Sequence, residues 1–444
     1  MTSLKHLIYT ILGFIILCLV SYAVSAQQAL SMNDAVSLAL LHNREIKAAR
    51  FDVNNAQQQT RISKSMSLPT VSAGLQVNHY FNSPVFFGLG STGNESKIPY
   101  GRFGGNDLGS AAVNLVQPVY NEGIKPARIQ SELQERQGGL ILTAKEVELS
   151  SIIKQTYLQV LVLRERIKLQ NESLLRNKKA LRDARSLLAQ GRALRVDTLR
   201  AYTSVKNLEP GLLKLAYAVE IGKQQLKTLV GIDSIQNIEL TDSLSLPDVP
   251  PVPATDDVYE VAKSQRTDLQ SLSLQAEIDE TQIKTVTAYT KPTVDLVAQY
   301  LVQTQTSNFN YFNAFYPSTP FVGLQVNIPV FNGNRNAAKI QQAKITRQQS
   351  LLQKDNAYEL LKTEVKQVVA NLHESVARIH TSIMVKETAQ LSYDITQYRY
   401  AKGVASRLEL TDAELSLTTA QSNYLEAVYD YLSTRIALEK TEGK

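Results

Sequence analysis

Tyr400-Ala401-Lys402-Gly403-Val404-Ala405-Ser406-Arg407-Leu408-Glu409-Leu410-Thr411-Asp412-Ala413 breaks a long apolar-periodic run with one glycine, and the periodicity resumes within a few residues. The same design stands at Gly191-Arg192-Ala193-Leu194-Arg195-Val196-Asp197-Thr198-Leu199-Arg200-Ala201. Gly191 and Gly403 are 212 residues apart; Arg195 and Arg407 keep that offset, as do Ala201 and Ala413, and Asp197 falls on Glu409. Two helix-glycine-helix bends at one offset read as an internal repeat, which has to be settled before any element is assigned.

The runs on either side of each bend carry the repeat outward. Ile153, Val160, Ile167, Leu174, Leu181 and Leu188 recur every seven residues, one seam of a coiled-coil-like helix over about 126–190. At 1.5 Å per residue such a helix is on the order of 100 Å long. After Gly191 a return helix carries Val205, Leu212, Val219 and Leu226, again at sevens, and Gly231 ends it. Pro210 lies inside that helix and predicts a kink or break, because proline removes a helix hydrogen bond. In the second half Tyr358, Val365, Leu372, Ile379, Tyr393 and Tyr400 make the long seam, with Lys386 the exception, and Leu417, Tyr424, Tyr431 and Leu438 make the return.

Ahead of each long helix the period changes to two. Val71, Ala73, Leu75 and Val77 alternate with polar residues and glycine, a strand over about 70–80. Further strands are expected over about 112–120, 293–302 and 321–330, the second and fourth closing on Gln117-Pro118-Val119-Tyr120-Asn121-Glu122-Gly123 and Pro329-Val330-Phe331-Asn332-Gly333. Residues 81–110, with seven glycines, and residues 303–318, rich in Asn, Phe and Tyr, read as loops. A helix starts at Ser31-Met32-Asn33-Asp34 and continues to about Met66; Val258, Val261, Ala262 and Leu269 follow Ala35, Leu38, Ala39 and Ile46 by 223 residues. The layout is a first repeat over 27–240, a proline-rich linker over 241–257 and a second repeat over 258–440.

Bulk properties narrow the function. A net charge of +6 on 444 residues argues neither for nor against nucleic acid. Residues 1–26 have the basic start, short apolar run and small-residue end of a secretory signal. Cys18, the sole cysteine, lies inside that segment, and Leu17 before it is too large for lipoprotein processing, so the mature chain is expected to be neither disulfide-linked nor lipidated. No catalytic constellation, phosphate loop or ligand cluster stands out. His373 and His380 share a helix face but are seven residues apart, about 10 Å, too far for one metal. The chain is therefore expected to be no enzyme and to need no cofactor or metal.

Four strands are too few to close a membrane barrel, and open edges cannot face lipid. A membrane-spanning form would have to oligomerise. Here the signal segment, the repeat, the "QPVYNEG" and "IPVFNGN" strand ends and the two glycine bends together resemble the TolC-type outer-membrane efflux proteins, over about 27–440. The resemblance implies an α+β, mostly α fold. In it, three chains of four strands form one twelve-stranded transmembrane β-barrel, continued by a long periplasmic helical barrel. It implies a passive exit channel in the outer membrane, with a periplasmic adaptor and an inner-membrane transporter as partners. It places the bends Gly191 and Gly403 at the periplasmic tip, with Arg195 and Arg407 as candidate adaptor contacts. Glu409 and Asp412 match acidic residues that line the constriction, Tyr400 matches a tyrosine that ties the tip shut, and Asp197 matches one of its partners. Ala405 stands where the family's best-known member has an arginine, so Arg195, Arg200 or Arg407 would take its place. The plainer reading of Glu409 and Asp412 is as helix N-terminal acids favoured by the dipole. The competing reading of the whole chain is a periplasmic coiled-coil adaptor or scaffold without its own pore.

Overall fold

The computed structural model describes residues 28–82, 85–87, 100–102, 104–232, 237–245, 249–307 and 309–444. The expected signal segment, with Cys18, lies outside the described residues. The chain divides into two units, one made of residues 1–52, 139–271 and 354–444 and the other of 53–138 and 272–353. Among the described residues no helix is long and apolar enough to cross a membrane.

The second unit is built on an antiparallel sheet of β2 (Thr70–His79), β5 (Asp107–Tyr120), β7 (Thr293–Thr306) and β8 (Ser318–Asn327), in that order. Its register aligns the alternating apolar residues into rows across all four strands. Val71 faces Leu115, Leu115 faces Ala298, and Ala298 faces Val322. The next row runs Ala73, Val113, Tyr300 and Pro320. On the opposite face Gln299 donates to Asn114 at 2.6 Å. Val71, Leu75, Val77, Val322, Leu324 and Val326 are exposed, and β2 and β8 are each paired on one side only among the described residues.

Strand ends differ from the sequence reading where pairing overrides pattern. β5 begins at Asp107, because its first residues pair with His79 and Thr306. It passes Pro118 by way of a bulge before Tyr120, beyond the last β2 pair at Thr70–Val116, where only β7 is bonded. β8 ends at Asn327 although Ile328 and Val330 prolong the alternation, since Pro329 cannot donate to a ladder. The loop expected over 81–110 holds a short antiparallel pair, β3 (Val85–Phe87) with β4 (Tyr100–Arg102).

The first unit is helical, with one small parallel strand pair, β1 (Gln28–Leu30) and β6 (Ile238–Leu240), which the sequence did not suggest. The expected single helix from Ser31 to Met66 is two, α1 (Met32–His42) and α2 (Arg44–Ser65). Asn43 separates them: its amide donates to the Leu229 carbonyl at 2.8 Å, and its Oδ1 accepts from the amides of Glu45 and Ile46. Arg266, 223 residues later, separates α5 (Thr255–Gln265) from α6 (Thr267–Ala288). Gly231 and Gly443, at the ends of the return helices, take left-handed φ values of 78° and 82°. A Cβ on Gly231 would lie 2.7 Å from the His42 carbonyl oxygen, and one on Gly443 3.2 Å from the Arg266 nitrogen. Each glycine thus lets a return helix close against the break in a short helix.

The long helices are α3 (Ile124–Ala189) and α7 (Arg335–Ala401), and their returns are α4 (Arg195–Val230) and α8 (Arg407–Thr441). α4 continues unbroken through Pro210, so the expected break is absent; the proline deprives only the Lys206 carbonyl of its helical donor. Ile153, Val160, Leu174 and Leu181 are buried with Val205, Val219 and Leu226. In the second hairpin Val365, Leu372, Ile379 and Tyr393 are buried with Leu417 and Tyr431. Lys386, the polar residue on that seam, lays its ammonium 4.1 Å from the centre of the Tyr424 ring, the seam residue on the return helix. Its charge is accommodated by a ring face instead of by water alone.

Candidate functional site

Both hairpins turn through the same backbone device. Gly191 and Gly403 have φ values of 70° and 75°. The amide after each glycine reaches back over the last helical turn, Arg192 to the Leu187 carbonyl and Val404 to the Arg399 carbonyl, both at 2.9 Å. This pattern closes a helix on a left-handed residue, which is why glycine stands there.

The two return helices start differently. Ser406 caps α8: its Oγ accepts from the Glu409 amide at 3.2 Å, and the Glu409 carboxylate accepts from the Ser406 amide at 2.9 Å. That reciprocal box is written in the sequence as Ser-x-x-Glu. At the first tip Leu194 occupies the corresponding place and has no side-chain acceptor, so only half the box forms, from the Leu194 amide to Asp197 at 3.4 Å. Glu409 and Asp412 are both exposed, and Glu409 is oriented by its capping bond.

Tyr400 is half-buried against Tyr393, Leu410 and Leu417. Within the chain no hydrogen bond joins it to Asp197. Its neighbour is Arg407, whose guanidinium lies 5.9 Å from the ring centre. Ala405 is buried beneath the bend. Arg195 is exposed, and a groove lined by Val196, Asp197, Leu199 and Arg200 on α4 and by Arg407 and Leu408 on α8 separates the two tips.

Behind the tips lies a cluster that the sequence did not reveal. Glu414, on α8, is 7% exposed, and its Oε2 has no hydrogen-bond partner. Burial pushes its carboxyl above the usual glutamate range, while Arg407 and Arg176 pull it down. Arg176, on α3, donates to Thr418 Oγ1 at 3.3 Å, and its guanidinium lies 6.0 Å from the centre of the buried Tyr393 ring. Burial raises the Tyr393 phenol, and the negative charge of Glu414 raises it further. The cluster therefore ties one helix of the first hairpin to both helices of the second, about two to four turns behind the bends. Glu414 follows the seam residue Leu410 by four places, where a heptad pattern alone suggests a solvated flank. Among the described residues no group of His, Cys, Asp and Glu could hold a metal ion.

The glycine-bent hairpins of one unit and the sheet of the other, whose outer strands are each paired on one side only among the described residues, fit an outer-membrane exit channel. The chain belongs to the outer membrane efflux protein family, whose model matches residues 35–232 and 258–444. It is 22% identical over 418 residues to the proteases secretion protein PrtF of Dickeya chrysanthemi, covering 94% of this chain and 88% of that one. It is also 22% identical over 430 residues to the alkaline protease secretion protein AprF of Pseudomonas aeruginosa, covering 91% and 82%. The solved outer membrane protein VceC of Vibrio cholerae shares the fold, with a TM-score of 0.73 at 19% identity over 93% of this chain and 96% of that one. The chain is thus a channel of the efflux and secretion type, and the scaffold reading is not favoured.

Proposed function

We propose that three copies of this chain close one twelve-stranded barrel in the outer membrane, through which substrates leave passively. Each copy carries two structural repeats, about 27–240 and 258–440, joined by the linker over 241–257. The observation that carries this reading is the sheet itself. Among the described residues β2 and β8 expose apolar rows and leave their outer edges unpaired, and an unpaired edge cannot face lipid. Pairing β8 of one copy with β2 of the next satisfies both edges. Residues 1–26 are removed on export, Cys18 with them, so the channel is not lipidated. Fractionation tests the assembly: a heat-modifiable trimer in outer membranes is the expected result, and a soluble monomer sinks the proposal.

The tips form the periplasmic gate. Glu409 and Asp412 from three chains place up to six carboxylates around the constriction, which favours cations. Tyr400 and Arg407 hold the inner bend, Arg176 and Glu414 brace it from behind, and Asp197, Arg195 and the Gly191 bend form the outer tip. A periplasmic adaptor docks at the tips, and an inner-membrane transporter supplies the energy. Planar-bilayer recording of Glu409→Gln with Asp412→Asn is the test of the constriction, because glutamine keeps an acceptor for the Ser406 amide while removing the charge. Cation selectivity should fall; unchanged selectivity excludes these residues from the constriction.

A further inference from the structure

Four helices meet the sheet at one end, and that end is basic. α2 stops at Ser65 ahead of β2, α3 starts at Ile124 after β5, α6 stops at Ala288 ahead of β7, and α7 starts at Arg335 after β8. The helix ends pack side by side. Thr60 on α2 donates to the Ser131 carbonyl on α3 at 3.2 Å, a Cβ on Gly123 would lie 3.5 Å from the Ala288 Cβ, and Asn336 on α7 donates to the Tyr289 carbonyl just past α6 at 3.0 Å. The stretches 59–69, 121–130, 282–293 and 328–341 hold eight cations and one acid, Glu122. Each junction carries two of them: Arg61 and Lys64, Lys125 and Arg128, Lys284 and Lys291, Arg335 and Lys339. All eight are exposed.

Only part of this charge is matched within the chain. Lys64 and Arg128 share Glu132, at 3.5 and 3.3 Å, and Lys284 meets Glu280 at 3.6 Å, exposed pairs of a kind that contributes little. The Lys339 ammonium lies 5.7 Å from the centre of the Tyr289 ring. Arg61, Lys125, Lys291 and Arg335 have no ion pair among the described residues. Charge alone does not single out this level, since residues 178–200 hold seven cations against two acids. The company of the charges does. Met66, Leu68, Tyr120, Tyr289, Val330 and Phe331 are exposed among the junction cations, whereas residues 178–200 contain no aromatic side chain. Leu68 leads into the exposed Val71 of β2, and Val330 and Phe331 follow the exposed Leu324 and Val326 of β8. The apolar side chains of the outer strands thus continue past the strand ends into a basic level that lies within two helical turns.

We infer that this basic collar binds the headgroups of anionic phospholipid, such as phosphatidylglycerol, in the membrane leaflet on the helical side of the sheet. The inference rests on the reading of the sheet as part of a membrane barrel. Aromatic rings gather at headgroup level on such barrels. Lys and Arg lay their aliphatic stems along apolar surface and hold their charges at the headgroups, where anionic lipid attracts each of them. A neutral lipid would take up the rings and stems and leave the charge unmatched. A soluble acidic partner would match the charge and leave Leu68, Val330 and Phe331 facing water. An anionic amphiphile answers both halves of the surface.

The test is native mass spectrometry of the purified, delipidated full-length channel in nonionic detergent, with phosphatidylglycerol or phosphatidylcholine titrated in. Phosphatidylglycerol should bind at least ~10-fold tighter at low salt, with the preference shrinking as salt is raised. K125Q/K291Q/R335Q removes three charges that lack an acidic partner and leaves the pairs of Glu132 in place. It should abolish most of the preference. R182Q/R185Q/R192Q, which removes as many charges from the first hairpin tip, should leave it intact. Glycerol phosphate at the lipid's concentration should not displace the lipid. Both variants should keep native conductance in phosphatidylcholine bilayers, a readout that tests the channel reading by itself: a native chain that conducts but prefers neither lipid defeats this inference alone. A preference untouched by the collar substitutions, lost equally with the tip substitutions, or abolished by glycerol phosphate also overturns it.

Discussion

Arg176 and Tyr393 join the two hairpins: the guanidinium of one lies 6.0 Å from the ring centre of the other, and the same Arg176 donates to Thr418. The arginine belongs to α3 and both partners belong to the second hairpin. A stack and a hydrogen bond of this kind contribute about 1–2 kcal/mol together. Arg176→Ala should lower the unfolding midpoint by a few degrees and raise the conductance of the closed channel. Arg176→Lys should recover little of either, because an ammonium cannot reproduce a planar stack and a directed bond at once. Thermal melts and bilayer recordings on the same preparations check both expectations.

Glu414 gives the molecule a pH dependence of a definite sign. Its folded carboxyl titrates above the unfolded value of 4.5. The folded state then holds its proton in a window that opens at 4.5 and extends upward, so stability falls as pH rises through that window and stays low beyond it. Glu414→Gln removes this contribution. We expect the variant to be more stable than the native chain at neutral pH, with the difference vanishing below 4.5. Denaturant titrations across that range check it; a native chain that remains the more stable at neutral pH would contradict the burial argument.

The unequal caps make a paired prediction. Ser406→Ala removes one bond of the α8 box and should cost about 1 kcal/mol. Leu194→Ser completes the box at the first tip, where Asp197 is already in place, and should stabilise by a similar amount. Hydrogen exchange of the amides at Glu409 and Asp197 reads the two ends separately: the first substitution should speed exchange at Glu409, the second slow it at Asp197.

Lys386 tests whether the seam tolerates a cation only through its ring. Lys386→Ala should cost about 0.5–2 kcal/mol through loss of the contact with Tyr424. Lys386→Leu should be neutral or stabilising, since leucine restores the apolar repeat. Pairing Lys386→Ala with Tyr424→Ala in a double-mutant cycle isolates the contact.

Patterns that repeat locally were legible in the sequence, and contacts between distant elements were not. The seams at Ile153, Val160 and Leu372 could be read because a heptad is written along one helix. The strand around Val71 to Val77 could be read because alternation is local as well. Asn43 was missed as a helix break because its partner, the Leu229 carbonyl, is 186 residues away. Arg266 breaks its helix while donating to Glu364, 98 residues on. Glu414 drew no reading, because nothing along α8 announces its burial beside Arg176 and Tyr393. The box of Ser406 with Glu409 is local enough to be read, as a four-residue motif, but the sequence reading makes Glu409 only a constriction acid or a dipole-favoured one; the box assigns it a structural task beside its charge.

The seven-residue seam also restricts how this molecule can change length. Ile153 and its successors meet Val205, Val219 and Leu226 only while both arms of the hairpin stay in phase. An insertion of one to six residues in a single arm rotates every later side chain off the seam. Seven residues added to each arm restore the phase and lengthen the hairpin by about 10 Å. Length in such a hairpin is therefore a stepped quantity: whole heptads in both arms keep the phase, and other increments must be absorbed by local winding of the helices.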